Sequence, residues 1–338
     1  MPDQQTFWTG KKVLITGGTG FIGSHLTRHL TRLGAIVAVT TKYNSIIDNV
    51  RIADLWDHVT VIEADLRNLD ALMEIRKFTP ETIFHLAAYN HVGDSFIQVS
   101  ESSDCNAKGT ANLLTALGDY ERFIYVSTSE VYGAQNSVPF TETMTPRPVS
   151  PYSVAKYAGE QYCRLQMEEM NRPIVIVRPF NAFGPYQSAR AVISEMILTC
   201  LEGRPIYSTE GTQTREFNYV ENLVDGLILA GEKEAAIGQI INVGSGEEIP
   251  ICDLIRMIHT ETNSSSDLNI GALENRPTEI WRMYADNERA KKYLGWTPQV
   301  LFRDGLRHTI NWFDMFREQY RTRDAGLIKL SHQASLTK

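Results

Sequence analysis

The 338-residue chain lacks the features that mark disulfide-rich, zinc-binding and membrane-spanning proteins. Its four cysteines are scattered and include no CxxC pair, which excludes a disulfide framework and a cysteine zinc site and is typical of reduced thiols. No apolar run approaches the length that crosses a bilayer, and the start, MPDQQTFWTGKK, lacks the apolar core of a signal peptide. We therefore expect a soluble, cytoplasmic protein without a metal site or a membrane partner.

The chain also has fewer basic than acidic residues. The chain has 40 acidic and 33 basic residues, a net charge of −7 and a pI near 5.7. A surface of this kind does not favour nucleic acid as a partner. Apolar residues, by contrast, make up 43% of the chain, which at this length is enough for one large or two modest domains.

A glycine-rich turn lies near the N-terminus, between a strand and a helix. The apolar run Lys12–Thr16 predicts a short strand and is followed directly by GGTGFIGSHLTRHLTRL. Gly17, Gly20 and Gly23 open a helix whose apolar residues fall on one side. Such glycines let the backbone turn tightly and approach a pyrophosphate, while the start of the helix offers free N–H groups to the anion. The pattern predicts a dinucleotide-binding turn.

Predicted strands and helices alternate through the first half of the chain. This predicts a parallel sheet covered on both faces, so the expected class is α/β, a Rossmann-type doubly wound sheet with a smaller C-terminal α/β domain for the substrate. The expected domains are residues 1–180 and 181–321, with about 214–244 returning to the first, and a tail at 322–338. Strands are expected near 12–16, 36–40, 59–63, 82–86, 122–127 and 173–178. Helices are expected near 21–33, 68–78, 95–118 and 152–170, and then near 190–202, 219–231, 251–261, 286–294 and 303–318.

The stretch from Ser127 to Lys156 holds a hydroxyl, a carboxylate, a phenol and an amine at spacings that one active site can use. The run before Ser127 is apolar and β-branched, so STSEVYG is expected just past the carboxyl end of a buried strand, where open α/β sheets bind ligands. Tyr152 and Lys156 are four apart in a helical segment and project from one face. The ammonium is expected to lower the pKa of the phenol from about 10, which makes it a general base. A lone YxxxK more often belongs to an ordinary amphipathic helix, so its catalytic interpretation depends on the rest of the chain.

These motifs together carry a resemblance to a known family. The chain resembles the extended short-chain dehydrogenases/reductases, in particular the nucleotide-sugar epimerases and dehydratases. The resemblance runs from about residue 12 to about residue 310 and rests on several motifs in order rather than on one pattern. The motifs are TGGTGFIGS, Asp65-Leu66, HLAA at His85–Ala88, Asn106 with Gly109-Thr110, STSEVYG, YxxxK and RPFNAFGP at Arg178–Pro185.

The resemblance implies the catalytic and cofactor-binding residues. In the family, the serine or threonine after the fifth strand, the tyrosine and the lysine form the catalytic triad, which assigns Thr128, Tyr152 and Lys156 to those roles. Asp65 matches the family's adenine-contacting aspartate. The residues expected to bind the cofactor, NAD(P), are Gly17, Gly20, Phe21, Ile22, Lys42, Asp65, Leu66, Ala87, Ala88, Ser127, Tyr152, Lys156 and Pro179.

The end of the second predicted strand bears on the choice between NAD and NADP. Ile36–Val39 is followed by Thr40, Thr41 and Lys42, where an NAD-preferring enzyme usually has an acid that accepts from the ribose 2′-hydroxyl. That acid is missing, and a cation suits a 2′-phosphate, so NADP is slightly favoured over NAD. The alternative is that Lys42 is a solvated loop residue and that NAD binds without the acid.

Glu130, two residues after Thr128, indicates a second proton transfer. In the family's 4,6-dehydratases a glutamate here removes the carbon-5 proton after oxidation at carbon 4, and a neighbour assists loss of water from carbon 6. That neighbour is Ser129 in this chain, where some relatives have aspartate. The resemblance therefore implies a nucleotide-sugar 4,6-dehydratase. Alternatives are a 4-epimerase or a UDP-glucuronate decarboxylase on the same scaffold and, more remotely, a non-catalytic regulator that binds dinucleotide. In the family, simple 4-epimerases usually lack this glutamate and the decarboxylases carry it, and Glu130 also fits a structural role as a capping or salt-bridging carboxylate.

Five residues are candidates for binding the substrate, namely His91, an asparagine and three arginines. Arginine pairs well with phosphate oxygens, although each of the three arginines also fits a surface salt bridge, and His91 also fits a structural role. QSARAVI at 187–193 and KYNS at 42–45 resemble dehydratases that act on UDP-N-acetylglucosamine, so the expected partner is a nucleotide-diphosphate sugar of that kind. The four residues lie in segments that resemble the family's nucleoside-diphosphate site: Asn181, Arg190, Arg215 and Arg276.

The predicted helices near 95–118 and 152–170 bear on assembly. In the family, the corresponding helices pair across a two-fold axis, so a homodimer is expected. Both segments carry apolar residues beyond one core stripe, and the alternative is that these residues pack on their own sheet. The residues in question include Phe96, Ile97, Val99, Leu113, Leu114 and Leu117.

Overall fold

The computed structural model describes residues 4–42, 45–275 and 279–320 of the chain. Its centre is a seven-stranded parallel sheet with helices on both faces, and three small two-stranded sheets lie in the C-terminal half. The predicted α/β class with a Rossmann-type sheet is confirmed.

The secondary structure follows the alternation expected from the sequence through the first six strands. The strands are β1 Lys12–Thr16, β2 Ile36–Thr41, β3 Thr60–Glu63, β4 Thr82–His85, β5 Arg122–Val126, β6 Ile174–Pro179, β7 Ala182–Phe183, β8 Ile206–Ser208, β9 Thr214–Glu216, β10 Asn218–Tyr219, β11 Ile240–Val243, β12 Glu248–Pro250 and β13 Leu268–Ile270. The α-helices are α1 Gln4–Trp8, α2 Phe21–Arg32, α3 Leu72–Phe78, α4 Val92–Ser95, α5 Val99–Ser103, α6 Gly109–Ala116, α7 Pro151–Met170, α8 Val192–Leu201, α9 Val220–Glu232, α10 Ile251–Glu261 and α11 Phe302–Met315. Segments of 3₁₀-helix cover Ser45–His58, Ser129–Tyr132 and Glu234–Ala236. Wider turns of π-helix cover Asp104–Lys108 and Ala290–Leu294.

The large sheet has the strand order β11-β6-β5-β4-β1-β2-β3, and every pair in it is parallel. The chain therefore winds outward in one direction from β1 and in the other from β4. The loops after these two strands diverge and leave a crevice at their carboxyl ends, which is where open α/β sheets bind ligands.

Alternate residues of each central strand enter two separate apolar cores. Val13 and Ile15 of β1 pack with α2 and α9 on one face, while Leu14 packs with α3, α6 and α7 on the other. All three side chains are fully buried, each contributing about 1.5–3 kcal/mol of hydrophobic stabilisation. Burial on both faces explains why the strand reads as an uninterrupted apolar run.

The helix expected at 95–118 is a continuous helical series from Val99 to Ala116, made of α5, a wide turn at Asp104–Lys108 and α6, and the short helix α4 precedes it. Asn106 lies in the wide turn, and its buried side chain accepts from Tyr89 N–H at 2.8 Å and donates to the Tyr89 carbonyl at 3.0 Å. These bonds hold the turn against the loop after β4. The apolar residues near the end of the series pack into the core of the protomer itself, which corrects the prediction that they extend a dimer surface: they are Leu113, Leu114 and Leu117.

The C-terminal half contributes to both parts of the molecule. Strand β11 pairs with β6 at the edge of the large sheet, and α9 packs beside α2. The remaining elements, from β7 onward, form a smaller lobe above the carboxyl ends of the strands. Within the described ranges, no helix has the length and apolar character needed to cross a membrane.

Candidate functional site

A cavity of about 790 Å³ lies at the carboxyl ends of the central strands, between the large sheet and the smaller lobe, and its size is typical of a small-molecule site. It collects the turn after β1, the loops after β4 and β5, and the segment after β6. Every residue that the resemblance assigns to the cofactor lines this cavity, from Gly17 at one end to Pro179 at the other. One cleft therefore gathers side chains that are far apart in sequence.

The glycine-rich turn has room only for glycine at two positions. Gly17 adopts φ +70°, and a Cβ there would lie 2.9 Å from the backbone nitrogen of Ala87. A Cβ on Gly23 would lie 2.2 Å from the Gly17 carbonyl oxygen, so the helix could not pack this closely on the turn. Gly20 precedes α2 and provides no side-chain cap, which leaves the first N–H groups of the helix for an anion. The cradle fits the pyrophosphate of a dinucleotide.

Helix α7 begins at a capping box that fixes its first turn. Ser150 Oγ accepts from Ser153 N–H at 3.1 Å, and Ser153 Oγ accepts from Ser150 N–H at the same distance. Pro151 takes the first helical position, where an N–H would have no partner within the helix. Tyr152 and Lys156 follow one turn apart, and both are buried and line the cavity.

The surroundings of Tyr152 and Lys156 differ from the expectation. Lys156 Nζ donates to the Val126 carbonyl at 2.6 Å and lies 4.4 Å from the centroid of the Tyr125 ring. Burial raises the pKa of Tyr152 to about 12, although a hydrogen bond with Thr128 opposes the rise, and burial lowers the pKa of Lys156 to about 8. The prediction that the amine lowers the pKa of this phenol is wrong in this structure, because desolvation of Tyr152 raises its pKa by more than the hydrogen bond with Thr128 lowers it.

A buried ion pair lies beneath these residues. Glu160, one turn beyond Lys156, accepts from Arg178 at 2.9 and 2.7 Å, and both side chains are almost fully enclosed. Ser127 Oγ donates to the same carboxylate at 2.5 Å. The Arg178 guanidinium also lies 4.7 Å from the ring centroid of Tyr132, at the end of the Ser129–Tyr132 turn. The pair thus joins α7, the end of β5 and the turn that carries Glu130.

The turn after β5 places three candidate residues side by side. Thr128 Oγ1 accepts from Glu130 N–H at 3.2 Å, and Thr128 and Ser129 line the cavity. Glu130 is half-buried and does not line the cavity; burial raises the pKa of its carboxyl, and Arg215 opposes the rise. The negative charge of Glu130 also raises the pKa of Tyr152, which indicates that the two groups are close. A carboxyl with a raised pKa beside a phenol is suited to a second proton transfer.

Lys42 lies where the missing acid of the second strand would be, but it is already paired. Its Nζ is 3.1 Å from Glu101 of α5. Glu101 also pairs with Arg67, whose Nε lies 2.9 and 3.0 Å from the two carboxylate oxygens of Asp65. Lys42, Arg67 and Asp65 line the cavity, and Glu101, which does not line it, pairs with both of these cations.

The opposite end of the cavity is lined by Asn181 and Arg215. Asn181 Nδ2 donates to the Glu216 carbonyl at 3.0 Å, and Arg215 Nη1 donates to the Ile280 carbonyl at 2.5 Å. The other end of the guanidinium pairs with Glu279, which also lines the cavity. The arginine is therefore oriented by its neighbours rather than free to turn into solvent.

Two of the described residues predicted for the substrate, His91 and Arg190, do not line the cavity. Arg190 forms two bonds of 3.0 Å to Asp94, and His91 Nδ1 accepts from Asp94 N–H at 3.0 Å as the cap of α4. Both residues thus join α4 to the segment before α8, outside the cavity. Arg276 lies outside the described residues.

Several residues that shape the site had no signal strong enough to be singled out in the sequence. Glu160 could have been noticed, because it continues the four-residue spacing of Tyr152 and Lys156 on one helix face. Glu101 and Glu279 could not, since their partners are 59 and 64 residues away along the chain.

Comparisons with known proteins agree with this geometry. Residues 14–309 match the family model described as GDP-mannose 4,6 dehydratase. A dTDP-D-glucose 4,6-dehydratase from Bos taurus is 32% identical over 320 residues, which cover 90% of this chain and 88% of that protein. The structure of an epimerase from Methanothermobacter thermautotrophicus superposes with a TM-score of 0.89 at 30% identity, covering 95% of this chain and 97% of its own.

A third similar protein bears on the ligands. The UDP-glucuronic acid 4-epimerase from Bacillus cereus, solved with UDP-glucuronic acid and NAD, superposes with a TM-score of 0.82 at 31% identity, covering 90% of this chain and 99% of its own. The dinucleotide in that complex is NAD. With Lys42 already engaged by Glu101, the slight preference expected for NADP finds no support.

Proposed function

The chain belongs to the NAD-dependent nucleotide-sugar epimerase/dehydratase family of extended short-chain dehydrogenases/reductases, and from this premise we propose that it is a 4,6-dehydratase of a nucleoside-diphosphate hexose. The family is enzymatic, and its members act as dehydratases or epimerases on nucleotide sugars. The dehydratase assignment goes a step further and depends on one carboxyl group.

That group is Glu130. A 4-epimerase needs a proton acceptor only for the hydroxyl at carbon 4, whereas a 4,6-dehydratase also needs one for the proton at carbon 5. Glu130 is half-buried, has a raised pKa and lies on the same turn as Thr128, close enough to Tyr152 to affect its pKa. A desolvated carboxyl at this position supports the presence of a second base.

The proposed roles follow from these positions. A bound NAD would supply the hydride acceptor for carbon 4 of the sugar and the hydride donor for carbon 6. Tyr152, aided by Thr128, takes the proton of the carbon-4 hydroxyl, and Lys156 holds the dinucleotide ribose. Glu130 takes the carbon-5 proton once the ketone has acidified it. The departing carbon-6 hydroxyl receives the proton held by Glu130, directly or through the Ser129 hydroxyl, and leaves as water. Carbon 5 is then reprotonated, in net terms with the proton that came from the carbon-4 hydroxyl.

The nucleotide end of the substrate is assigned to the smaller lobe. Arg215 and Asn181 line the cavity there, and an oriented guanidinium suits a diphosphate. Arg276 is proposed for the same site from its sequence segment. The similarity of QSARAVI to enzymes that act on UDP-N-acetylglucosamine favours a UDP-linked 2-acetamido sugar, and NAD is the proposed cofactor.

A 4-epimerase is the second candidate, because Ser129 stands where some dehydratases have an aspartate that could donate the proton to the leaving hydroxyl. The Ser129 hydroxyl instead faces Met283 Sδ at 3.7 Å. If Glu130 does not act, the same Tyr152 and dinucleotide suffice to invert carbon 4.

We also propose that the chain forms a homodimer through α5 and α7. The two elements pack side by side, and both present apolar side chains to solvent. Ile97 is 83% exposed just before α5, which is an unusual position for an isoleucine unless a partner covers it. The other exposed apolar residues of this surface are Phe96, Val99, Val154, Tyr162 and Leu165.

Replacement of Glu130 by glutamine separates these functions. The variant keeps the shape of the side chain but cannot accept a proton, so oxidation at carbon 4 should proceed while formation of the 4-keto-6-deoxy sugar falls by about a hundredfold or more. The measurement is mass spectrometry of products from a panel of UDP-sugars, together with the absorbance of the reduced dinucleotide, which should accumulate.

The control is Glu121→Gln, which removes a carboxylate from the Lys11–Glu121 pair at the amino ends of β1 and β5, opposite to the cavity. It should behave like the wild type. The 4-keto-6-deoxy product forming at the wild-type rate in Glu130→Gln contradicts the dehydratase assignment, and an epimerised or decarboxylated product from the wild type identifies the alternatives.

A further inference from the structure

The residue that would ordinarily recognise the adenosine ribose is replaced in this chain. In glycine-rich βαβ units a carboxylate at the end of the second strand accepts from the ribose 2′-hydroxyl. Here β2 ends at Thr41 and is followed by Lys42, whose ammonium donates hydrogen bonds but cannot accept one. If only β2 and Lys42 are considered, this lysine would attract the 2′-phosphate of NADP.

A carboxylate from elsewhere in the chain reaches the same place. Glu101 lies on α5, 59 residues further along, and its Oε1 is 3.1 Å from Lys42 Nζ. Its other oxygen pairs with Arg67, which in turn holds both oxygens of Asp65. The four side chains form a charge row in which cation and anion alternate, Lys42, Glu101, Arg67 and Asp65, and whose formal charges cancel.

The charge row is held together by its own members. The hydrogen bond to Lys42 is the main cause that lowers the pKa of the Glu101 carboxyl, so it is an anion at neutral pH. Burial opposes the charge of Lys42, but the bond to Glu101 raises the pKa of its ammonium overall. Glu101 is about one-third exposed and does not itself line the cavity, but its carboxylate lies 3.1 Å from the Nζ of Lys42, which does line it and is about one-half exposed.

We propose that Glu101 selects NAD over NADP, by supplying from α5 the carboxylate that β2 lacks and by occupying Lys42. A ribose 2′-hydroxyl is neutral and can donate to a Glu101 oxygen without disturbing the row. A 2′-phosphate carries a charge of about −1.5 to −2 and would meet Glu101 and Asp65, while the two cations that could neutralise it are already paired. This inference refines the cofactor of the proposed function and does not depend on the sugar reaction.

The test measures dinucleotide binding to the full-length protein after bound nucleotide has been removed. Calorimetric titration gives Kd for NAD and for NADP in the wild type, Glu101→Gln, Glu101→Gln/Lys42→Ala and the distant control Glu121→Gln. Loss of one charge-assisted bond and of the repulsion should lower the ratio Kd(NADP)/Kd(NAD) about tenfold or more in Glu101→Gln. The double variant should lose this gain, since Lys42 is the cation that the substitution frees.

Three results overturn the inference: a wild type that binds NADP as tightly as NAD, a ratio in Glu101→Gln no different from that in Glu121→Gln, and a double variant that keeps the whole gain. Circular dichroism checks that Glu101→Gln is folded, and Glu101→Asp, which retains the anion, should keep the wild-type preference. Products from the UDP-sugar panel are recorded with the same preparations. An unchanged sugar product together with an unchanged binding ratio refutes the role of Glu101 while leaving the dehydratase assignment intact.

Discussion

At the scale of single residues, burial governs the acid–base chemistry of the site. It raises the pKa of Tyr152 to about 12 and raises the pKa of the Glu130 carboxyl above its usual range. Both groups are proposed to act as bases, and only a deprotonated base accepts a proton. The rate should therefore increase with pH: the acidic limb lies above the ordinary pKa of a glutamate, and below the pKa of Tyr152 the phenolate fraction grows about tenfold per pH unit.

Tyr152→Phe tests the role of the phenol. Turnover should fall by about a hundredfold or more and lose its alkaline rise, because no group remains to take the carbon-4 hydroxyl proton. Affinity for NAD should stay close to the wild-type value, since the glycine turn holds the pyrophosphate. Steady-state rates between mildly acidic and alkaline pH and calorimetric binding of NAD are the two measurements.

Tyr162→Phe provides the matched control, because it removes a phenol from the same helix at a 44% exposed position. It should leave the pH profile unchanged. An equal loss of NAD affinity in Tyr152→Phe would mean that this tyrosine supports the cleft rather than the chemistry.

The identity of the candidate residues could be predicted from the sequence, but their protonation could not. The spacing of Tyr152 and Lys156 is local and is fixed by one helical turn. The pKa of each depends mainly on how deeply α7 is enclosed, which is set by tertiary packing. Motifs therefore predicted which groups meet, whereas the direction of the pKa shift of Tyr152 required the structure.

At the scale of elements, the Glu160–Arg178 pair joins α7 to β6 beneath the catalytic residues. Glu160→Gln leaves the buried guanidinium of Arg178 without a counter-ion, and removal of one partner of a buried pair costs about 3–5 kcal/mol in the free energy of unfolding. Because Ser127 and the Tyr132 ring contact the same pair, activity should fall as well. Urea titration followed by circular dichroism measures the loss of stability.

Glu168→Gln is the control on the same helix, since Glu168 forms an exposed pair with Arg164 four residues earlier. Exposed pairs of this spacing contribute about 0.5 kcal/mol or less. Equal effects of the two substitutions would show that the buried pair has no special importance.

Element positions in the first half were predictable because a strand buried on both faces and an amphipathic helix leave clear periodic patterns. The helix expected at 95–118 was predictable as well and spans Val99 to Ala116, but the wide turn within it was not. Its wide turn depends on the bonds of Asn106 to the Tyr89 backbone, a contact between segments 17 residues apart that no periodicity records.

At the scale of the whole molecule, the exposed apolar surface of α5 and α7 predicts a dimer. Ile97→Asp should shift the protein to monomers, because it places a charge in the centre of a surface that a second copy would bury. Light scattering at micromolar concentration measures the mass of wild type and variant.

Leu301→Asp is the matched control, because Leu301 is 67% exposed at the start of α11, where aspartate is a favourable helix cap. It should leave the mass unchanged. A wild type that is monomeric at this concentration would rule out the dimer.

The C-terminal half of the chain adds a strand, β11, to the large sheet, and this affects how the protein can be engineered. Strand β11 covers the edge of β6, so a fragment ending near residue 180 would present Ile174–Pro179 as an unpaired edge, open to association with other chains. The smaller lobe therefore cannot be exchanged for that of a relative at a single crossover point in the sequence. Exchange of the smaller lobe would need three crossover points, after β6, before α9 and after β11, so that α9 and β11 stay with the large sheet.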